Sequence, residues 1–95
     1  MTGIQEIAEE RTEQIEKHFH SIANDVVDND QGQLSFVAGL ISNQEAPKVP
    51  MIENYCPPGW DVSFFMKLVN KPYKQRLRIA GALIAAEIDR INFKS

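Results

Sequence analysis

The longest uninterrupted run of helix-spaced apolar and polar positions lies between residues 72 and 92, PYKQRLRIAGALIAAEIDRIN. Pro72 suits a first helical turn, where a missing N–H costs nothing. From Leu77 to Ile88 only Arg78 and Glu87 carry charge. Leu77, Ala80, Ile84, Ile88 and Ile91 make one stripe at helical spacing, and Ala82, Ala85 and Ala86 make a second face of small side chains. A helix apolar over most of its girth is buried among others. The pattern therefore predicts a central C-terminal helix enclosed by the remaining helices, the Leu77–Ile91 stripe included. At about 1.5 Å per residue its apolar stretch is too short to cross a bilayer.

Three further helices are predicted ahead of it. Thr2 and Gln5 have capping-box spacing, which opens a helix from about Gly3 to His18 or Phe19. Its inward face carries Ile4, Ile7, Ala8, Arg11, Ile15 and His18. Asn29 or Asp30 can cap a helix from about Gln31 to Ser42, with Leu34, Val37, Ala38 and Ile41 inward. Asp61 can cap a short helix, about Val62 to Val69, that presents Phe64, Phe65 and Leu68. Residues 43 to 59 hold four of the five prolines and show no helical or strand period. A loop of that length in a compact domain is usually functional or mobile. The expected architecture is all-α: residues 1–95 as one domain, a small helical bundle of three longer helices and one short helix, the C-terminal helix central.

Arg11 sits in the apolar stripe of the first helix and Glu87 in that of the last. A charge there is costly unless paired, so a structural ion pair between Arg11 and Glu87 is expected.

Length and charge narrow the classes. Ninety-five residues suffice for one small core. A net charge of −3 argues against bulk binding to nucleic acid or an anionic membrane. Cys56 is the single cysteine, which excludes an internal disulfide and suits a reducing interior. The opening MTGIQEIAEE has neither the basic start nor the apolar run of a signal peptide. The expected location is cytoplasmic.

Four patches share an order: Glu10-Arg11 with Gln14-Ile15; Gly32-Gln33-Leu34; Pro58-Gly59-Trp60-Asp61; and Arg76-Leu77 leading to Ala80-Gly81-Ala82-Leu83-Ile84, Ala86-Glu87-Ile88 and Arg90. In this order they resemble a family of small phage and prophage-borne bacterial proteins. The likeness covers nearly the whole chain, and its last block is the specific part. The family pattern has a Gly-Trp-Thr-Pro-Glu-His-Asp-Asp-like stretch after the first helix, where this chain reads HFHSIANDVVDND. The resemblance implies an accessory or interaction role without an established activity, so it carries over no catalytic residues.

The residues admit two classes of chemistry. Glu9, Glu10 and Glu13, followed by Asp25 and Asp28, resemble the Mg²⁺-binding acids of all-α nucleotide pyrophosphohydrolases. There a metal ion neutralises phosphate oxygens and activates water. Acids at this spacing are also common on solvated helices, and short motifs match by chance. Asp28-x-Asp30-x-Gly32 fails as a calcium loop, because Gly39 stands where a bidentate glutamate is needed. His18 and His20, two apart, cannot share a helix face, and Cys56 has no spaced base to make it a nucleophile. Lys67, Lys71, Lys74, Arg76 and Arg78 are half of the basic residues. They read either as an anion contact, with Tyr73 available for stacking, or as partners of the acidic first helix, the reading that the net charge favours. Of Tyr55, Trp60, Phe64 and Phe65, most are expected to close the core against the central helix, Trp60 as a plug where the long loop meets it. What a small core leaves uncovered in this Tyr55–Phe65 region is expected to form an interaction surface for a protein partner or a second copy, together with the acidic turn Asp25–Asp30. The favoured function is a non-enzymatic interaction protein with no cofactor; the pyrophosphohydrolase is the alternative.

Overall fold

Alanine, not isoleucine, decides which side of the last helix is buried. The computed structural model describes residues 1–17, 29–45 and 51–94. Among them lie four α-helices and one 3-10 turn: α1 (Gly3–Lys17), α2 (Gln33–Ile41), the turn Ile52–Tyr55, α3 (Val62–Val69) and α4 (Tyr73–Lys94). The architecture is all-α, with α1 and α2 both packed along α4.

The buried side of α4 carries Arg76, Ile79, Ala80, Ala82, Leu83, Ala86 and Glu87. Of the expected core stripe only Ala80 is enclosed. Leu77, Ile84, Ile88 and Ile91 are exposed by 40%, 49%, 53% and 51%. Small side chains let neighbouring helices approach closely, so α1 and α2 settle where α4 is thin and leave the aliphatic ridge outside. Gly81 marks the closest approach: a Cβ there would lie 2.5 Å from Ile7 Cδ1.

The inner face of α2 agrees with its periodicity, Leu34, Val37, Ala38 and Ile41 being almost wholly buried. With Phe65, Leu68, Val69, Ile79, Ala80, Leu83 and Ala86 they form the main core. The α1 face departs from the expectation. Arg11 and Gln14 are its buried residues, while Ile4 and Ile15 lie outside.

Helix starts follow local chemistry. The Thr2 N–H donates to Gln5 Oε1 at 2.8 Å and the Gln5 N–H to Thr2 Oγ1 at 3.2 Å, the reciprocal capping box. Asp61 Oδ1 accepts the Phe64 N–H at 2.9 Å and opens α3. Neither Asn29 nor Asp30 caps α2. Gly32, in the left-handed region at φ 77°, takes the cap position and starts the helix later. The Asn29 side chain turns instead to the tryptophan, accepting from Trp60 Nε1 at 2.8 Å.

The described end of the long connection, residues 51–59, carries defined local structure. Ile52, in the 3-10 turn, is buried. Pro58-Gly59 makes a turn with Gly59 at φ 88°, closed by Trp60 N–H to Pro57 O at 3.1 Å.

Candidate functional site

The polar contact between α1 and α4 differs from the expected ion pair. Arg11 Nη2 reaches Asp89 Oδ2 at 3.4 Å, while Glu87 Oε1 accepts from Arg90 Nε on its own helix. Arg11 and Glu87 are both buried at the interface, yet each finds a partner other than the expected one. Glu87 Oε2 and Gln14 Oε1 remain buried without a hydrogen-bond partner among the described residues.

The acids divide. Glu9 is exposed. Glu10 and Glu13 line a cleft of about 580 Å³ between α1, α3 and α4, with Gln14 beside them. Asp25 and Asp28 lie outside the described residues, as do His18 and His20. Lys67, Lys71 and Arg78 line the same cleft from α3 and α4 and the turn between them. Among the described residues no group of three or more histidine, cysteine or acidic side chains is placed to hold a metal.

The basic cluster is largely spoken for. Arg76 is 2% exposed. Its guanidinium donates to the carbonyls of Ile41, Asn43 and Gln44, and its Nε to that of Lys71. The first three are carbonyls that an α-helix leaves open at its C-terminus and in the turn beyond. Tyr73 lies under the same guanidinium, 5.4 Å from ring centre to Cζ. Lys74 and Arg78 approach Glu6 Oε1 at 3.4 and 3.9 Å.

The four expected surface aromatics are not one surface. Phe65 is fully buried and Trp60 half-buried, while Tyr55 and Phe64 are exposed. Phe65 is removed from solvent because α3 turns its 65–68–69 side to the core. The Cys56 thiol next to them is raised above its ordinary value by burial first and by the Asp61 charge second. A thiol held protonated is a poor nucleophile.

A different apolar surface is present. Ile4 is 82% exposed and Ile15 41%. Both lie about half a turn around α1 from Glu10 and Glu13, away from the cleft. Ile7 lies between them along the helix and against Gly81, which is three residues before Ile84 and four after Leu77. On α4 the exposed Leu77, Ile84, Ile88 and Ile91 share one side of the helix and form an aliphatic ridge. Lys74, the cation at one end of the ridge, is held by Glu6. Periodicity identifies the ridge as apolar but assigns it inward; the small Ala82 and Ala86 on the far side of α4, with Gly81 at its edge, are the sign that other helices dock there instead.

No protein-family model, no curated protein and no solved structure matches the chain. No helix among the described residues is long and apolar enough to cross a membrane.

Proposed function

We propose that the protein is a non-enzymatic interaction module that receives a partner helix on the ridge formed by Leu77, Ile84, Ile88 and Ile91 of α4. The observation that carries this is the 40–53% exposure of four large aliphatic side chains on the helix around which the core is built. Contiguous apolar surface of that kind marks contact sites on soluble proteins. Aliphatic residues at i, i+7, i+11 and i+14 also match the anchors by which helices dock on helices. Nucleic acid is the weaker candidate, because Arg76, Lys74 and Arg78 are committed to groups of the chain itself. An accessory role of phage or prophage origin is supported by the resemblance of the four sequence patches alone. A cytoplasmic setting suits the single thiol.

A photo-crosslinking residue placed at Ile84 or Ile88 tests the reading in the expressing cell. Adducts are expected at both positions and not at the exposed Glu53. Absence of any adduct at 84 and 88 sinks the proposal.

A metal-dependent nucleotide pyrophosphohydrolase is the second reading. Glu10 and Glu13 favour it by sharing their cleft with Lys67 and Lys71, whose charge suits phosphate. The described residues supply Glu10 and Glu13 at the cleft and turn Glu9 outward. Pyrophosphate release from nucleoside triphosphates with Mg²⁺, abolished in E10Q/E13Q, would put this reading first.

A further inference from the structure

We infer that α1 is a releasable strap: it lifts from α4 as a unit while the other helices stay packed, and ionic strength sets how firmly it holds.

The main core is complete without it. Every residue of that core comes from α2, the 3-10 turn, α3 or α4. What α1 buries is polar, Arg11 and Gln14. Gln14 Oε1 meets no hydrogen-bond donor among the described residues, and a buried oxygen left without a donor weakens the seat that encloses it. Ile7 is the aliphatic side chain keyed into α4, at Gly81.

Charge supplies the rest of the attachment. Glu6 approaches Lys74 at 3.4 Å and Arg78 at 3.9 Å, and Arg11 approaches Asp89 at 3.4 Å. The Lys74 and Asp89 side chains are 78% and 40% exposed, so dissolved salt reaches these pairs and screens them. The contacts fall in chain order, Glu6 with 74 and 78, Ile7 with 81, Arg11 with 89. The strap therefore runs parallel to α4, which sets dipole ends of like sign together.

Ala82 marks what lies beneath. It is wholly buried, yet it is not part of the main core. It stands one turn after Arg78 and two turns before Asp89, on the side of α4 that α1 touches. Release of α1 bares Gly81 and Ala82. It also removes from the cleft the wall that carries Glu10, Glu13 and Gln14, so the strap is the gate of that cleft. A free helix of 15 residues is marginal in water, and its amides lose protection once it leaves.

Native-state hydrogen exchange of the whole chain, resolved by residue and corrected for intrinsic rates, tests this. The amides of Glu10, Arg11 and Gln14 are expected to exchange at least tenfold faster than those of Val37 and Leu83, with a weak dependence on urea. Raising sodium chloride from about 20 to about 500 mM should speed the α1 amides roughly three- to tenfold and leave Val37 and Leu83 unchanged. Exchange of α1 at the rate and urea slope of Val37 and Leu83 overturns the strap. A missing salt response overturns its electrostatic hold. Ile7→Cys with Gly81→Cys in a Cys56→Ser background separates lifting from fraying in place. A Cβ at 81 would lie 2.8 Å from Ile7 Cγ1 and 3.3 Å from Cγ2, which brings the two sulfurs within disulfide reach. The oxidised tether should slow α1 exchange at least tenfold relative to the reduced form. Equal exchange in both forms would mean that the helix melts without leaving α4, and the inference falls.

Discussion

Arg76 Nη1 donates to the carbonyl of Ile41 at 2.9 Å, tying the start of the last helix to the end of the second. The same nitrogen also reaches Asn43 O, and with Gln44 and Lys71 the one side chain satisfies four carbonyls. Its buried charge is tolerable because its donors meet oxygens. Arg76→Met should therefore lower stability by about 2–4 kcal/mol, since it strands carbonyls that lose water on folding. Arg76→Lys should recover little, because an ammonium cannot reproduce the planar fork. Urea denaturation followed by circular dichroism measures both.

Gly81 and Ile7 should behave as a coupled pair. Alanine at 81 gains about 1 kcal/mol of helix propensity, but its Cβ would sit 2.5 Å from Ile7 Cδ1 and 2.8 Å from Cγ1. We expect Gly81→Ala alone to destabilise by about 1–2 kcal/mol through displacement of α1. In an Ile7→Ala background the same change should stabilise by about 1 kcal/mol. A double-mutant cycle showing additivity would contradict the close approach.

Asp61 predicts an acid dependence. Its carboxyl is held below the ordinary value of 3.8, first by the Phe64 N–H and then by the Ser63 hydroxyl. A folded value below the unfolded one gives a contribution that is present above about pH 4 and lost as pH falls through the folded value. Asp61→Asn keeps a good cap and cannot ionise. It should match the wild type near neutral pH and lose stability with a shallower slope in acid. Equal slopes in thermal melts taken across the acid range would contradict this assignment.

Asn29 is expected to matter through Trp60. Its carbonyl oxygen is the acceptor for the indole N–H, and the residue is buried. Asn29→Ala should cost about 1–2 kcal/mol and change the emission of Trp60, the only tryptophan in the chain. Measured again in a Trp60→Phe background, the cost of Asn29→Ala should be smaller by the share that the indole bond supplies; an unchanged cost would place the effect elsewhere.

The helices were readable because each rests on local signals. Thr2 with Gln5, Asp61 with Phe64, and the Leu34–Val37–Ala38–Ile41 stripe act over a single turn or two. The side of α4 that faces inward was not readable from its apolar pattern. Both sides are apolar, and hydrophobicity does not rank a ridge of isoleucine against a groove of alanine and glycine when the neighbours are unknown. The partner of Arg11 is similar: Glu87 and Asp89 lie two residues apart, and only the crossing of α1 over α4 selects Asp89. Arg76 looked like one cation among five because its acceptors are backbone carbonyls, which leave no mark in side-chain chemistry. Asn29 reads locally as a cap, while its side chain accepts from a residue 31 positions away.

The contact between α1 and α4 also bears on synthesis. Arg11 and Asp89 are separated by 78 positions, and a ribosome adds about 5–20 residues per second. The first helix emerges on the order of 4–16 seconds before its docking site exists. Until then the nascent helix holds Ile4, Ile7 and Ile15 in the open, and docking covers Ile7 against Gly81 while Ile4 and Ile15 stay exposed.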